Sequence, residues 1–322
     1  MKMPSPSPFT STSRSTALAL VAVAFLGAAG CATSSHSTQK SALGVPRSSQ
    51  DLLAVLDTPG PVEVETVVVM DWAVDRSGLV NLDHPKAKAA GLVDGDEPMQ
   101  VYFHVLRHPQ KGVFLIDTGF DTLLRDHPDD AAIRGFVARF FHREKMKWRT
   151  TPGDWLATQK APVAGVLLTH IHFDHIGGIP DLPAATPIYG GPGDSADRAF
   201  QNLFVQGSSD RLLEGKGPLN EWAFTPDASG RFEGVLDVFG DGSVWALWVP
   251  GHTPGATAYL VRTPNGPVLF TGDACHTRWG WDNGVEPGSF SSDKAGSAVS
   301  LEKLRKLAAE HPAMEVRLGH QR

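Results

Sequence analysis

Four metal-capable side chains crowd into six residues at His170-Ile171-His172-Phe173-Asp174-His175, directly after the apolar, strand-like run from Val163 to Thr169. In extended backbone, residues two apart point to the same side, so His170 and His172 can share one cation where a strand runs into a loop. Asp174 and His175 lie past the turn, where a carboxylate and a third imidazole can serve a second cation. Two adjacent cations suit hydrolysis, because together they activate a water and neutralise the charge that develops as it attacks. A lone His is more often a satisfied polar group than a ligand; the density of this cluster is what points to metal.

Elsewhere the chain repeats the pattern of a strand closing on Gly and then a polar residue. His252 sits in Pro250-Gly251-His252-Thr253-Pro254-Gly255, Asp273 in Gly272-Asp273-Ala274-Cys275-His276, and His320 follows Gly319. Asp117 closes the apolar run Gly112 to Ile116. A carboxylate can span two cations, which suits Asp273 to a bridge. Ligating imidazoles ordinarily donate their second N–H to a carboxylate or carbonyl, so such a group is wanted behind the rings. Cys275 reads as a small buried hydrophobe rather than a ligand. Residue type alone fixes no role for His276.

These side chains must be delivered by strand ends. Val62 to Met70 begins with alternation and ends in a β-branched run, Met99 to Arg107 alternates, and Gly112 to Ile116 reads as a buried strand that forms a hairpin with the one before it. Asp129 to Trp148 has helical character, its Phe136, Phe140, Phe141, Met146 and Trp148 suited to a core or to the apolar wall of a substrate pocket. Thr186 to Gly190 reads as a strand and Asp194 to Val205 as a helix. Gly240-Asp241-Gly242 and Asn265-Gly266 mark two further hairpins, and Ser300 to Glu310 a helix stopped near Pro312, before the strand Glu315 to Leu318. Every candidate ligand follows a strand, which predicts an α/β fold, a layered sandwich with the site along one edge of two sheets.

Composition bounds the partners. A chain of 322 residues, 41% hydrophobic and 20% charged, is ordinary for a soluble globular protein and long enough for one large domain or two small ones. A net charge of -6 and the lack of a long Lys/Arg run argue against nucleic acid and leave a small molecule as the expected partner. Thirteen His against two Cys favours imidazole and carboxylate ligation over thiolate. Arg14 precedes the apolar stretch Ala17 to Leu26, and small residues then lead to Cys31. Residues 1–30 therefore resemble a bacterial lipoprotein signal peptide, too short to span a bilayer, with Cys31 as the lipidated residue. The Ser/Thr-rich residues 31–60 are expected to be a flexible tether, and 61–322 the folded hydrolase domain. Such a protein is exported, a periplasmic or outer-membrane lipoprotein that meets the membrane only through its lipid.

The run His170-X-His172-X-Asp174-His175, followed in order by Gly251-His252, Gly272-Asp273 and Gly319-His320, resembles the metallo-β-lactamase fold hydrolases over essentially Val62 to His320. The resemblance implies a four-layer αββα sandwich and two Zn2+ ions, with other divalent metals able to take their place. It implies that His170, His172 and His252 hold one ion, that Asp174, His175 and His320 hold the other, that Asp273 bridges them, and that Asp117 orients the His loop from beneath.

The fold does not fix the substrate. Antibiotic-cleaving members generally lack the bridging Asp, glyoxalase-II-like thioesterases carry a helical region beyond the last His, and nuclease members carry added nucleic-acid modules. The N-acyl homoserine lactonase-like group is similar in ligand set, spacing and the tail from Ser300 to His320, but commonly has a Tyr where this chain has His276. The expectation is a dinuclear zinc hydrolase that opens a lactone or other carboxylic ester by attack of a metal-bound hydroxide, N-acyl homoserine lactones included. Asp174 is expected to relay the proton, and a neutral His276 to donate a hydrogen bond to the carbonyl. Thioester, β-lactam or phosphodiester hydrolysis is the alternative, with a non-catalytic metal-binding lipoprotein behind it. The sequence leaves monomer and homodimer both open.

Overall fold

A computed structural model describes residues 1, 31–135, 137–199 and 202–321. The expected signal peptide, Met1 apart, lies outside the described residues. Three short strands come first, β1 (Cys31–Ala32), β2 (Thr38–Lys40) and β3 (Val45–Arg47). The long pair β4 (Glu63–Asp75) and β5 (Asp96–His108) follows, then β6 (Gly112–Ile116), β7 (Lys147–Trp148), β8 (Val163–Leu167), β9 (Ile188–Gly190), β10 (Arg198–Ala199) and β11 (Leu219–Glu221). The C-terminal part adds β12 (Gly234–Asp237), β13 (Val244–Trp248), β14 (Thr257–Thr263), β15 (Gly266–Phe270) and β16 (Glu315–Arg317). One mixed sheet has the order β2-β11-β9-β8-β6-β5-β4-β7, and the second the order β16-β15-β14-β13-β12-β3.

Alternation along the central strands sorts their side chains into separate cores. On β6, Phe114 and Ile116 enter the space between the sheets and meet Leu236, Tyr259, Val261 and Phe270. Val113 and Leu115 of the same strand face outward with Phe103, Val166 and Trp155. On β14, Ala258 and Leu260 turn away from the sheet interface, toward Leu52 of the helix Ser49–Val55 and Leu304 and Leu307 of the helix Lys294–Glu310. The three apolar interfaces separate four layers, helix, sheet, sheet and helix, which is the αββα sandwich. Strands buried on both faces explain why β6 and β13 read as continuous apolar runs. Among the described residues no helix is long and apolar enough to cross a membrane.

Three expectations need correction. Residues 31–60 are not a flexible tether. β2 extends one sheet in parallel with β11, β3 extends the other antiparallel to β12, and the helix Ser49–Val55 begins with a capping box between Ser48 and Asp51 and buries Leu52. Edge strands of three exposed residues are too short to show alternation in sequence. The segment 129–148 is not one helix. It forms 3-10 turns at Val137–Phe141 and Arg143–Lys145 and then β7, because Gly135 (φ 66°) and His142 (φ 43°) take left-handed conformations that no α-helix contains. The helix expected from Asp194 starts only at Asn202, since the Asp194 carboxylate accepts the Gly255 amide instead.

Candidate metal centre

Each ligand-bearing loop leaves the end of a strand at one edge of the two sheets. After β8 a short irregular stretch carries His170 and His172, the latter extended (φ -70°, ψ 158°), and leads into the helix Phe173–Ile176, which carries Asp174 and His175. The loop after β13 brings His252 in through Gly251, whose φ of 143° and tight approach to the Ser297 backbone leave no space for a Cβ. Asp273 follows β15, and His320 follows β16 through Gly319, where a Cβ would strike the Asp273 carboxylate. Both glycines are required by close approach, Gly251 to the helix Lys294–Glu310 and Gly319 to Asp273.

The side chains converge in two groups of four that share Asp273. In the first, His252 Nε2 lies 3.2 Å from His170 Nε2, 2.9 Å from His172 Nδ1 and 3.4 Å from Asp273 Oδ2. In the second, His320 Nε2 lies 3.3 Å from Asp174 Oδ2 and 3.3 Å from Asp273 Oδ1, while His175 Nε2 lies 3.3 Å from Asp273 Oδ2. Within each group the ligand atoms fall inside 4.8 Å of one another.

Electrostatics suit a cation. Burial, aided by neighbouring imidazoles, holds His170 and His252 well below the ordinary His pKa, and burial brings His172 down to about 4. All three therefore stay neutral with a lone pair to offer. Burial opposes a charge on His175 too, but Asp273, Asp174 and Asp117 outweigh it and raise its pKa. Asp273 is held well below the usual carboxylate range because His320, His276, His175 and His170 overcome its desolvation. His175 Nε2 and Asp273 Oδ1 are buried with no hydrogen-bond partner. A buried unsatisfied group costs about 1–3 kcal/mol, and divalent cations between the two groups would satisfy both atoms. The residues fit a pair of divalent ions.

Outer contacts fix the rings. Asp117, itself left-handed at φ 56°, accepts the Thr169 amide at 2.7 Å, the Thr169 hydroxyl at 2.8 Å and His175 Nδ1–H at 2.8 Å. Sequence reasoning missed Thr169, whose position directly before His170 was the available signal. His320 Nδ1–H donates to the Gln100 carbonyl at 3.0 Å, and Ser291 Oγ lies 3.2 Å from His252 Nδ1. Carbonyl partners carry no signature in sequence, and neither does a serine on a distant loop.

His276 is fully inside the centre, with Nε2 3.1 Å from Asp273 Oδ2. Its Nδ1–H donates to the Leu79 carbonyl at 3.0 Å, so a neutral ring turns a lone pair, not a donor, toward the site. The donor role expected of a neutral His276 is therefore corrected, since donation inward needs a second proton on Nε2. Cys275 is buried beside Leu301 and Leu318, its thiol pushed up to about 12 by burial, and acts as a small hydrophobe. Phe173, between His172 and Asp174, packs on Phe141 at 5.6 Å, and Phe141 stacks on Trp72 at 5.8 Å. Part of the expected aromatic wall thus borders the centre. Phe136 lies outside the described residues, and so does the Phe140 side chain.

With this geometry in hand, the family profile described as Metallo-beta-lactamase superfamily matches residues 96–320. The N-acyl homoserine lactonase AttM of Agrobacterium fabrum is 34% identical over 166 residues, 51% of this chain and 60% of the relative. A hydroxyacylglutathione hydrolase of Shewanella baltica is 35% identical over 158 residues, 49% of this chain and 48% of the relative. The chain thus spans about half to three fifths of the length of these curated relatives. Among solved structures, a mutant of B. thuringiensis AiiA with N-decanoyl-L-homoserine at its active site superposes with a TM-score of 0.58 at 18% identity, covering 82% of this chain and 94% of that one. AidC, a dizinc quorum-quenching lactonase in complex with its product, superposes with a TM-score of 0.52 at 14% identity, covering 87% and 92%.

Proposed function

The chain belongs to the metallo-beta-lactamase superfamily, and from that premise we propose that it is a dinuclear zinc hydrolase that opens a lactone, with N-acyl homoserine lactones as its leading substrates. The observation that carries this reading is Asp273 Oδ2, which lies within 3.6 Å of the ring nitrogens of His170, His175, His252, His276 and His320. One carboxylate common to two ligand groups is an arrangement that suits a two-metal hydrolytic site. His170, His172 and His252 would hold one ion and Asp174, His175 and His320 the other, and imidazole with carboxylate ligands suits zinc.

Bound zinc lowers the pKa of water to about 7 and polarises a carbonyl oxygen. The protein's own residues supply the rest. Asp174, with its side chain 19% exposed, is the most accessible carboxylate of the centre and carries the water proton to the departing alkoxide. His276, once protonated on Nε2, offers a hydrogen bond to the oxygen on which charge develops. Phe141 and Phe173 take the acyl chain and keep bulk water out. Lactone chemistry is favoured by the AttM relative and by the ligands of the AiiA and AidC structures.

Purified, metal-loaded protein assayed on an N-acyl homoserine lactone, a glutathione thioester, a phosphodiester and a chromogenic β-lactam tests this. The lactone should be turned over with the highest kcat/KM. A thioester turned over faster would move the assignment to the chemistry of the hydroxyacylglutathione hydrolase relative.

We also propose that the protein is exported and lipidated at Cys31, on the strength of the apolar segment and small residues before it. Intact protein should fractionate with membranes, and Cys31→Ser should release or misroute it. Wild-type protein recovered soluble with an unmodified Cys31 would end that reading.

A further inference from the structure

Cys31 does not sit at the end of slack chain. β1 pairs with β10, placing Cys31 opposite Ala199, and the Thr33 amide donates to the Asp197 carbonyl at 3.0 Å. The Ser34 and Ser35 hydroxyls both donate to the Asp210 carboxylate at 2.6 Å. Whatever is attached at Cys31 is therefore held against the surface formed by β10 and the helix Asn202–Leu212. On that surface Phe204 is 50% exposed and Arg198 is exposed. Asp210, an acid of this face, is engaged by the two serines.

The helix continues the surface into a basic segment. The Arg211 guanidinium donates twice to the Ala132 carbonyl, at 3.0 and 2.7 Å; burial and then the nearby Arg134 lower its pKa, against the opposing pull of Asp210 and Glu214. From residue 134 to 149 the chain carries Arg134, Arg139, Arg143, Lys145, Lys147 and Arg149 against Glu144 alone, in a protein whose net charge is -6. Asp129, Asp96 and Asp71 pair with Arg143, Lys145 and Arg149. Arg134 and Arg139 are exposed, and neither forms an ion pair among the described residues. Further on, Phe141 packs against Phe173 between His172 and Asp174, so this basic segment reaches from the neighbourhood of Cys31 to the metal centre.

The exposed guanidinium groups of Arg134 and Arg139, joined through the Arg211–Ala132 contact to the helix that carries half-exposed Phe204, with the chain held down alongside, have the chemistry of contact with an anionic lipid surface. We propose that the face made by β1, β10, the helix Asn202–Leu212 and residues 131–135 and 137–139 docks on an anionic phospholipid bilayer. Docking this way sets the metal centre close to the membrane, where a lipophilic ester collects. That consequence rests on the hydrolase reading, whereas the docking does not. Lipid at Cys31 would reinforce the same orientation.

The test uses the full chain carrying Cys31→Ser in every sample, so that no attached lipid contributes, with partition onto phosphatidylcholine–phosphatidylglycerol vesicles compared with phosphatidylcholine alone. Binding should require phosphatidylglycerol and weaken with salt. Arg134→Glu with Arg139→Glu should lower the partition coefficient at least about 25-fold, from about 5-fold per cation lost at the surface. Phe204→Ser should weaken binding without changing its salt dependence. Lys294→Glu with Lys306→Glu, on the helix of the opposite outer layer, should change it by less than about 3-fold. Equal thermal unfolding of all the variants would show that each is folded. The proposal is overturned if phosphatidylglycerol has no effect, or if the distant lysine pair matters as much as the arginine pair. Loss of lactone turnover with vesicle binding intact would instead count against the hydrolase reading.

Discussion

Replacing Asp117 by Asn tests how far the centre depends on a residue that touches no metal. Asn takes the left-handed backbone at position 117 (φ 56°) about as readily as Asp, so the substitution isolates the side chain. The carboxylate accepts three hydrogen bonds, from the Thr169 amide, the Thr169 hydroxyl and His175 Nδ1–H. An amide keeps only one acceptor oxygen. If that oxygen stays on the Thr169 amide, the new NH2 faces His175 Nδ1–H, donor against donor. His175 must then turn, or move its proton to Nε2 and give up the lone pair that would hold its ion. The loss is one charge-assisted hydrogen bond, about 1.5–3 kcal/mol, or roughly 10- to 100-fold in affinity for the ion that His175 helps to hold. Competition with a chromogenic chelator, using Co2+ for its visible spectrum, should show one ion weakened by this factor and the other unchanged. Two ions bound to Asp117→Asn with wild-type affinity would refute the reasoning.

His276→Ala should lower kcat/KM by about 10²- to 10³-fold with metal content intact, and His276→Tyr should retain lactone cleavage, since a phenol donates without needing a second proton. Metal lost from both variants would make His276 a ligand. Asp194 concerns stability, because burial raises its pKa to about 7 despite the Gly255 amide that donates to it. An unfolded Asp titrates near 3.9, so the folded state holds this proton more tightly. The stabilisation is complete below about pH 4, falls as pH rises, and is gone above about pH 7, with an upper limit of about 4 kcal/mol. Asp194→Asn should flatten that slope in denaturant midpoints measured at about pH 5 and pH 8; parallel profiles would contradict it.

The ligands were legible because metal chemistry restricts residue type as well as spacing. His170, His172, Asp174 and His175 stand in one short run, and His252, Asp273 and His320 each follow a strand and a glycine. Asp117 was legible as an acid at a strand end. The supports behind other rings were not. Leu79 and Gln100 act through carbonyls that any residue supplies, and Ser291 reaches His252 from a loop with no local signal. In the fold, long alternating or β-branched runs gave the central strands, while β2 and β3, exposed edges of three residues, left no pattern. Aromatic spacing over 129–148 imitated a helix, although its Phe141 and Trp148 serve tertiary packing around Phe120. The helix Lys294–Glu310 begins six residues before its first readable turn because Gly296 and Ser297 are kept small beneath Gly251.

The central claim is a pair of ions sharing Asp273, and the direct measurement is a zinc titration of metal-free protein with bound metal and lactone opening followed together. Wild type should bind two equivalents, with activity rising as the second is filled, and Asp273→Ala should retain at most one and lose nearly all hydrolysis. Full activity at one equivalent, or two tightly bound ions and undiminished hydrolysis in Asp273→Ala, would contradict the account.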